Sequence, residues 1–292
     1  PAILLKTLKK KPITLWVLDL WPQTLSAVGI FKKRSIFIRF IGLIVRFIYR
    51  NCDLILGQSQ SFVKEINKFS DTPDKVKYFP NWYENIYSQS NYSLAKEIDN
   101  RKDTFKIIFA GNIGEAQDFP TILRAMEAIK SSNIKLYIIG DGRKLGWVKD
   151  NIRALNLQSR VKVLGRFPSA RMPEFFLHAD VLLVSLKPDK IFDKTIPGKL
   201  QSYLASKKPV IGMLNGEGKQ VILDSGCGKV VIPGNHLSLA KVIEEMNSMS
   251  QSKLLLMGTN GFKFAKENFE KEKIYKALEK WMSNILLIPE KK

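Results

Sequence analysis

The amino-acid sequence predicts an α/β protein built from two domains, each with a parallel sheet covered by helices. Apolar runs of strand length alternate with helical patterns from Ile13 to Pro233, and regular alternation of strands and helices favours parallel sheets. A polar stretch without periodicity, residues 82–102, interrupts the series, as expected of a connector. We therefore predict a first domain over residues 1–100 and a second over residues 101–292.

Length, composition and charge narrow the class of protein. The 292 residues are 45% hydrophobic, enough for two ordinary cores. The net charge of +20 calls for an anionic partner, which nucleic acid, nucleotide phosphates or an anionic membrane could each provide. The two cysteines, Cys52 and Cys227, lie far apart, so we expect neither a disulfide framework nor a metal site. The opening residues lack a signal-peptide pattern, which favours a cytoplasmic protein.

The first domain begins with an apolar run from Ile13 to Leu20 that carries Asp19 near its end. Such a run is typical of a buried parallel strand that delivers an acid to the loop at its carboxyl end. Residues 52–59 and 75–81 read as two further strands. Three strands are fewer than the about six of a complete Rossmann-like domain, so we expect an incomplete first domain, either a fragment or a shortened homologue.

Residues 31–50 predict an amphipathic helix with a basic stripe, formed by Lys32, Arg39, Arg46 and Arg50, beside a wide apolar sector. The arginines interrupt the apolar residues too often for a membrane-spanning helix. A helix lying in the interface of an anionic membrane suits this composition. The alternative is a core helix of an α/β domain whose basic stripe faces water.

The residue pattern of the second domain predicts six strands, each followed by a loop or a helix. It also predicts a final amphipathic helix over residues 273–287 that could cross back to the first domain. Several loops should meet at the carboxyl edge of this sheet, where parallel sheets bind ligands. A nucleotide phosphate suits a glycine loop or a helix start with a nearby cation. The candidate binding residues that these loops supply are Gly111, Asn112, Gly114, Gly140, Arg143, Arg166, Phe167, Thr195, Ile196, Pro197, Gly198 and Lys199.

Each of these features also has an interpretation that involves no ligand. One glycine loop alone is most often a plain turn. Lys199 could be a solvated helix residue instead of a phosphate ligand, and Phe167 could belong to the core. Their order within one strand–helix series favours a shared binding site.

Several segments resemble a known family. GNIGEAQDF (111–119), GDGR (140–143), LGRFP (164–168) and TIPGKLQSYLASKKPVIG (195–212) resemble the donor-binding domain of glycosyltransferase family 4. The resemblance is closest to the branch of bacterial O-antigen, capsule and colanic-acid assembly, which includes L-fucosamine (N-acetyl-L-fucosaminyl) transferases. LDLWPQTL (18–25) and FPNW (79–82) resemble the N-terminal domain of that branch.

This resemblance implies a GT-B fold, two Rossmann-like domains facing a cleft, with the N-terminal acceptor-side domain incomplete here. It implies transfer of a sugar from a nucleotide donor, a UDP-sugar, to a lipid-linked glycan at the inner face of the cytoplasmic membrane. No metal or other cofactor is expected, because Lys199, Arg143 and helix dipoles can balance the phosphate charge, and no nucleic-acid partner is expected. The alternative is a sugar-nucleotide-binding subunit without activity.

The family's pair of glutamates falls by register on Lys194 and Ser202, so that pair is absent. Asp19 and Asp193 are the remaining candidates for catalysis. Asp19 could accept a proton or hydrogen bond from an acceptor hydroxyl, or it could be a helix cap. Asp193 could stand near the sugar or in a surface loop. The resemblance further implies that Ser202 bonds the ribose and that Arg166 and Phe167 contact the base.

Overall fold

A computed structural model describes residues 1–27, 36–70, 72–88, 91–101 and 103–287. The chain divides into two compact units. The first unit comprises Pro1–Asn81, Asp189–Ile196 and Glu270–Lys292, and the second comprises Trp82–Pro188 and Pro197–Phe269. The mixed α/β class with parallel sheets is confirmed in both units.

Within its described residues the first unit has one three-stranded sheet, all parallel, in the order β1-β2-β3. Its strands and the first four helices are α1 (Ala2–Lys9), β1 (Thr14–Val17), α2 (Gln23–Ala27), α3 (Ile36–Asn51), β2 (Leu54–Gly57), α4 (Gln60–Asn67) and β3 (Val76–Tyr78).

The second unit has a six-stranded parallel sheet in the order β6-β5-β4-β7-β8-β9. Its elements are β4 (Phe105–Ala110), α5 (Phe119–Ala128), β5 (Ile134–Ile139), α6 (Leu145–Ala154), β6 (Val161–Gly165), α7 (Met172–Leu177), β7 (Val181–Ser185), α8 (Gly198–Ala205), β8 (Val210–Met213), α9 (Gly216–Ser225), β9 (Gly228–Val231), α10 (His236–Asn247) and α11 (Gln251–Asn268).

The strand order of this second sheet locates its ligand edge. Chain order runs outward in one direction from β4 to β6 and in the other from β7 to β9, so the order reverses between β4 and β7. Ligands of doubly wound sheets bind outside the carboxyl ends of the strands at such a point. The loop that follows β4 therefore lies at the position where a ligand is expected.

The contacts divide the chain earlier than the boundary we expected near residue 101. The backbone N–H of Ala95 donates to the carbonyl of Glu174 (3.3 Å), and the His178 ring bonds the Ala95 carbonyl (2.8 Å). Arg171 forms a forked ion pair with Glu97 (2.8 and 3.1 Å). The segment after Trp82 thus packs on the second unit, although its polar composition reads as a linker.

Two further segments group with the first unit. Ile191 belongs to that unit's hydrophobic core, and the Ser59 hydroxyl donates to the Lys194 carbonyl (2.5 Å). The last helix, α12 (Lys271–Leu287), also groups there, where Trp281 meets Phe79 edge to face. The chain therefore returns twice to its first unit.

Helix α3 leaves a large apolar surface in contact with solvent. It packs on the core of the first unit through Tyr49, Val45 and Ile48. The helix predicted from residue 31 is described from Ile36 onward, and residues 31–35 lie outside the described part. The exposed apolar side chains of α3 are Ile36, Phe37, Phe40, Leu43, Ile44 and Phe47. Most of the apolar sector is thus not used by the core, in contrast to the core-helix alternative.

Helix α1 was not predicted. It also exposes apolar side chains, Leu4, Leu5 and Leu8, with Lys6 and Lys9 in its last turn. In the described part of the chain, the helices fall short of the length and hydropathy that crossing a bilayer requires.

Candidate functional site

A cavity of about 1200 Å³ lies in the second unit, at the carboxyl edge of its sheet. Its walls come from Ala110 at the end of β4, Ile139 at the end of β5, the loops that follow these strands, and one side of α8. This is the edge at which the strand order locates a ligand. Its volume exceeds the about 300–1,000 Å³ of common small-molecule sites, so it can hold a ligand as large as a nucleotide sugar.

The cavity brings together many of the residues that the sequence singled out. Eight of the thirteen predicted binding residues line it: Gly111, Asn112, Gly140, Arg143, Arg166, Phe167, Lys199 and Ser202.

The other five predicted binding residues do not line this cavity. Gly114 is buried in a turn, where its N–H donates to the Gln117 side chain (3.1 Å). Thr195 and Ile196 group with the first unit, whereas Pro197 caps α8 and Gly198 begins it. The start of α8 thus contributes its Lys199 and Ser202 side chains to the lining.

Two glycine loops cross at the carboxyl ends of β4 and β5. Gly111 and Gly140 have φ angles of 141° and 144°, which only glycine adopts without strain. A Cβ at Gly140 would overlap the backbone of Gly111. The Ile113 N–H donates to the Asp141 carbonyl (2.7 Å) and the Lys144 N–H to the Ile113 carbonyl (3.0 Å). The loops are therefore held together by their own backbones, which leaves the cavity side open.

Lys199 reaches into the structure beneath the first of these loops. Its Nζ is buried and has no hydrogen-bond partner among the described residues, and it lies 3.8 Å from the centre of the Phe109 ring. A Cβ at Gly111 would lie 2.8 Å from this Nζ. Burial lowers the pKa of Lys199 to about 7. The interpretation of Lys199 as a solvated helix residue is wrong, because its amine is enclosed at the cavity wall.

Tyr203 joins α8 to the end of β4. Its hydroxyl donates to the Ala110 carbonyl (3.1 Å) and accepts from the Ala110 N–H (2.8 Å). Burial raises the pKa of this phenol, so it stays neutral. These two bonds satisfy backbone groups that the sheet leaves unpaired, and they hold Lys199, one helical turn earlier, against the cavity.

An aromatic wall forms the far side of the cavity. The rings of Phe167 and Phe175 lie 4.7 Å apart, and the Arg171 guanidinium lies 5.1 Å from the Phe167 ring centre. Phe167 is half-buried and lines the cavity. One part of the ring is therefore packed, as the core interpretation predicts, and another part is available to stack on a flat ligand.

Tyr87 is a lining residue that the sequence analysis missed. It stacks on Phe176 at 5.8 Å, and it lies near Ser202 in the cavity lining. Burial raises the pKa of its phenol. The signal was weak, because Tyr87 lies in the stretch that reads as a connector. Its position places two hydroxyls side by side on the cavity wall.

The two candidate catalytic acids belong to the first unit. Asp19 follows β1, as predicted, and is exposed, while the Trp21 N–H donates to its carbonyl (3.1 Å). Asp193 lies in a helical turn, Phe192–Lys194, and its N–H donates to the Asp189 carbonyl (3.2 Å). Lys194, at one position of the absent acidic pair, forms an ion pair with Glu65 (2.9 Å).

Across the described ranges, no group of three or more histidine, cysteine, aspartate or glutamate side chains is arranged to hold a metal ion.

Comparison with known proteins gives a family. Residues 93–264 match the family model described as "Glycosyl transferases group 1". This range contains every lining residue of the cavity except Tyr87.

Two curated relatives extend the likeness. WbjE of Pseudomonas aeruginosa, named as a glycosyltransferase, is 29% identical over 272 residues, which cover 87% of this chain and 66% of WbjE. WcaI of Escherichia coli K12, whose name assigns it to colanic acid biosynthesis, is 23% identical over 53% of this chain and 39% of its own length. The chain thus spans less than two thirds of these relatives.

A solved structure supports the fold. HepE of Anabaena, solved with UDP, aligns with a TM-score of 0.79 at 16% identity and covers 97% of this chain and 75% of HepE. Further structures of HepE contain UDP-glucose, or UDP and glucose. The predicted pair of Rossmann-like domains agrees with this likeness.

Proposed function

The chain belongs to the group 1 glycosyl transferases, and on that premise we propose that it transfers a sugar from a UDP-linked donor to a lipid-linked glycan. The observation that carries this proposal is the cavity at the carboxyl edge of the second sheet, which combines glycine loops, cations and an aromatic wall. The UDP bound by HepE supports the donor class. The name of WcaI supports a role in surface polysaccharide synthesis.

Each wall of the cavity suits one part of the donor. The backbone of the loop at Gly140 and the cations Arg143 and Lys199 suit the diphosphate, because charge-assisted hydrogen bonds to phosphate are strong. Ser202 and Tyr87 present hydroxyls suited to the ribose. Phe167 and Arg166 suit the flat uracil base.

Transfer requires one bond to form and one to break. The acceptor hydroxyl oxygen attacks C1 of the sugar, and the bond from C1 to the diphosphate oxygen breaks with its electron pair leaving on UDP. We assign the acceptance of the hydroxyl proton to Asp19 and a role near the sugar to Asp193. A protonated Lys199 would stabilise the charge that develops on the departing diphosphate.

The assignment to a narrower family and to a particular sugar rests on the sequence motifs. The resemblance of residues 195–212 to glycosyltransferase family 4 favours that family and, within it, N-acetyl-L-fucosamine as the transferred sugar. An N-acetylated sugar needs room beside the diphosphate, and the volume of the cavity is sufficient for it.

A thermal-shift screen tests the donor class. We expect UDP and UDP-sugars to raise the melting temperature more than GDP- or dTDP-sugars, since a ligand that binds the folded state stabilises it. Arg143→Gln should weaken UDP affinity about tenfold, because it removes one charge-assisted contact. Arg153→Gln is the matched control, since Arg153 is an exposed arginine of α6 paired with Asp150. Equal affinity of the two variants, or no shift with any UDP compound, would contradict the proposed site.

Helix α3 supports a place at the membrane surface. Ile36, Phe40 and Leu43 are 78%, 61% and 64% exposed. Arg39 and Arg46 lie on the same helix, and α3 contains no acidic residue. Apolar side chains flanked by cations favour the interface of an anionic bilayer. We accordingly propose a cytoplasmic protein bound peripherally to the inner face of the cytoplasmic membrane.

Vesicle flotation tests this membrane contact. Phe40→Ser with Phe47→Ser should reduce flotation with phosphatidylglycerol vesicles at least about tenfold, because two large apolar groups lose their burial in the bilayer. Leu255→Ser with Leu256→Ser is the control, since these leucines of α11 are similarly exposed. Competing duplex DNA should not release the wild-type protein. Release by DNA would instead favour nucleic-acid binding.

A second candidate function is sugar-nucleotide binding without transfer. It is favoured by the replacement of the family's acidic pair by Lys194 and Ser202, since Lys194 is engaged with Glu65 (2.9 Å). Release of UDP from radiolabelled UDP-sugars in the presence of membrane extract separates the two. Donor binding without any UDP release would favour the non-catalytic function.

A further inference from the structure

A second cavity, of about 1130 Å³, lies in the first unit. Its lining includes Pro12, Asp53 and Lys75, which lie one or two residues before the starts of β1, β2 and β3. Because the three strands are parallel, these residues mark the amino edge of the sheet. Asp19, which follows β1, lies at the opposite edge. This cavity is therefore separate from the elements to which the proposed transfer is assigned.

Cations dominate its lining. Two carboxylates, those of Asp53 and Asp74, and six basic side chains line it. The basic side chains are those of Lys6, Lys10, Lys11, Arg50, Lys75 and Lys77. The proximity of these cations to one another raises the local potential and attracts anions.

One of the two carboxylates is already engaged. Asp53 accepts from Lys6 through Oδ1 (2.7 Å) and from the Ile13 N–H through Oδ2 (2.7 Å). Its charge is compensated by Lys6 and by a backbone dipole, and its role is to join α1 to the sheet. The remaining cations of the cavity outnumber Asp74, so the net charge of the lining is positive.

The size of this excess favours a multivalent anion. A carboxylate ligand would balance a single cation, whereas a phosphate monoester carries about −1.5 to −2 charges and three acceptor oxygens. The lysines come from α1, from the loop before β1 and from β3, so they approach the cavity from different sides. Trp281, Ile285 and Leu286 of α12 form an apolar wall, which suits a ligand with a non-polar portion better than a nucleic-acid backbone.

We propose that this cavity binds a phosphate-bearing anion, either a soluble phosphate compound or the headgroup of an anionic phospholipid. The residues that line this site all belong to the first unit, whereas the proposed donor site is lined by residues of the second. Either source provides the same chemistry, a phosphate held among lysine amines.

Equilibrium binding with two probes tests the proposal. Inorganic pyrophosphate serves as the soluble probe, with saturating UDP present so that the second unit's cavity is occupied. Phosphatidylcholine vesicles containing phosphatidic acid serve as the lipid probe. Lys11→Gln with Lys77→Gln removes two cations of the cavity. Lys149→Gln with Lys219→Gln is the control, with the same change of net charge at exposed positions of α6 and α9.

We expect the Lys11/Lys77 variant to bind at least one probe about tenfold more weakly than wild type, because it loses two charge-assisted contacts, and the control to bind as wild type does. A loss with pyrophosphate identifies a soluble ligand, and a loss confined to vesicles identifies a lipid headgroup. Equal losses of affinity in the Lys11/Lys77 variant and in the control would mean that net charge alone accounts for the effect, and would overturn the proposal. Unchanged binding in the Lys11/Lys77 variant, or no binding of either probe by wild type, would overturn it as well. The single variant Lys11→Gln, in a loop, repeats the test if the double variant folds poorly.

Discussion

Replacement of Lys199 by methionine is expected to stabilise the protein by about 2 kcal/mol at pH 6 and to weaken UDP-glucose binding about tenfold or more. The amine is buried against the Phe109 ring without a hydrogen-bond partner among the described residues. A buried charge costs free energy unless it is paired. A methionine fills much the same space without that cost, but it cannot meet a phosphate.

The stabilisation should depend on pH. The pKa of Lys199 falls from 10.5 to about 7 on folding, so between these values the unfolded chain holds one proton more than the folded protein. Wild-type stability therefore rises with pH across this window through Lys199. The advantage of the methionine variant should be complete below pH 7 and should shrink as pH rises toward 10.5. Urea unfolding at several pH values measures it.

Donor binding should show the complementary dependence. An anionic diphosphate favours the protonated amine, so wild-type affinity should decrease as pH rises above about 7. The methionine variant should lack this decrease. UDP-glucose is the suitable probe, because its diphosphate has no ionisation in this range, and calorimetry in buffers of different ionisation enthalpy should detect uptake of a proton by wild type alone.

Lys207→Met is the matched control. The Lys207 amine also lies over an aromatic ring, 4.5 Å from the centre of Phe262, but the residue is exposed. We expect changes within about 0.5 kcal/mol for such a surface substitution. A Lys199→Met variant that is less stable than wild type at pH 6, or that binds UDP-glucose with unchanged affinity and pH dependence, would refute the role assigned to Lys199.

Asp19→Asn should lower the rate of sugar transfer about 10²–10⁴-fold, the range typical of a lost general base, while UDP affinity stays unchanged. The amide has nearly the same shape but cannot accept the proton of the acceptor hydroxyl. Release of UDP from labelled UDP-sugars with membrane extract as acceptor gives the rate, and thermal shift gives the affinity.

Two further variants make this result specific. Asp74→Asn removes a carboxylate before β3, at the opposite edge of the same sheet, and should retain the wild-type rate. Asp193→Asn tests the other candidate. If Asp19→Asn stays within about twofold of wild type and Asp193→Asn loses activity on the scale of a general base, the catalytic assignment belongs to Asp193.

The fold was largely predictable because burial leaves a direct trace in the sequence. The strands β2, β4 and β7 are buried along their whole length, so each reads as a mainly apolar run, with Lys106 as the one charged residue among them. Helix α1 left no such trace, since its leucines are exposed and no residue in it is buried. The segment after Trp82 reads as polar, yet Ala95 and Ile98 in it are buried. A few anchoring residues among polar neighbours decide packing without creating a period.

The candidate site was predictable in its position but not in its chemistry. The glycine loops mark the ends of β4 and β5, and parallel topology brings them to one edge. The burial of Lys199 has no local signal, because it depends on Phe109 and Gly111 from a distant part of the chain. Tyr87 likewise comes near Ser202 through tertiary packing.

The sequence by itself determined the α/β class, the two-domain plan, the resemblance to glycosyltransferases and most of the lining of the cavity. These follow from patterns between near neighbours in the chain, which hydrophobic burial and backbone geometry impose directly. Only the tertiary structure decided that Lys199 is buried, that Lys194 pairs with Glu65, and that lysines from α1 and β3 meet in a second cavity. Electrostatic environment is a sum over residues distant in sequence, so it becomes defined only when the chain has folded.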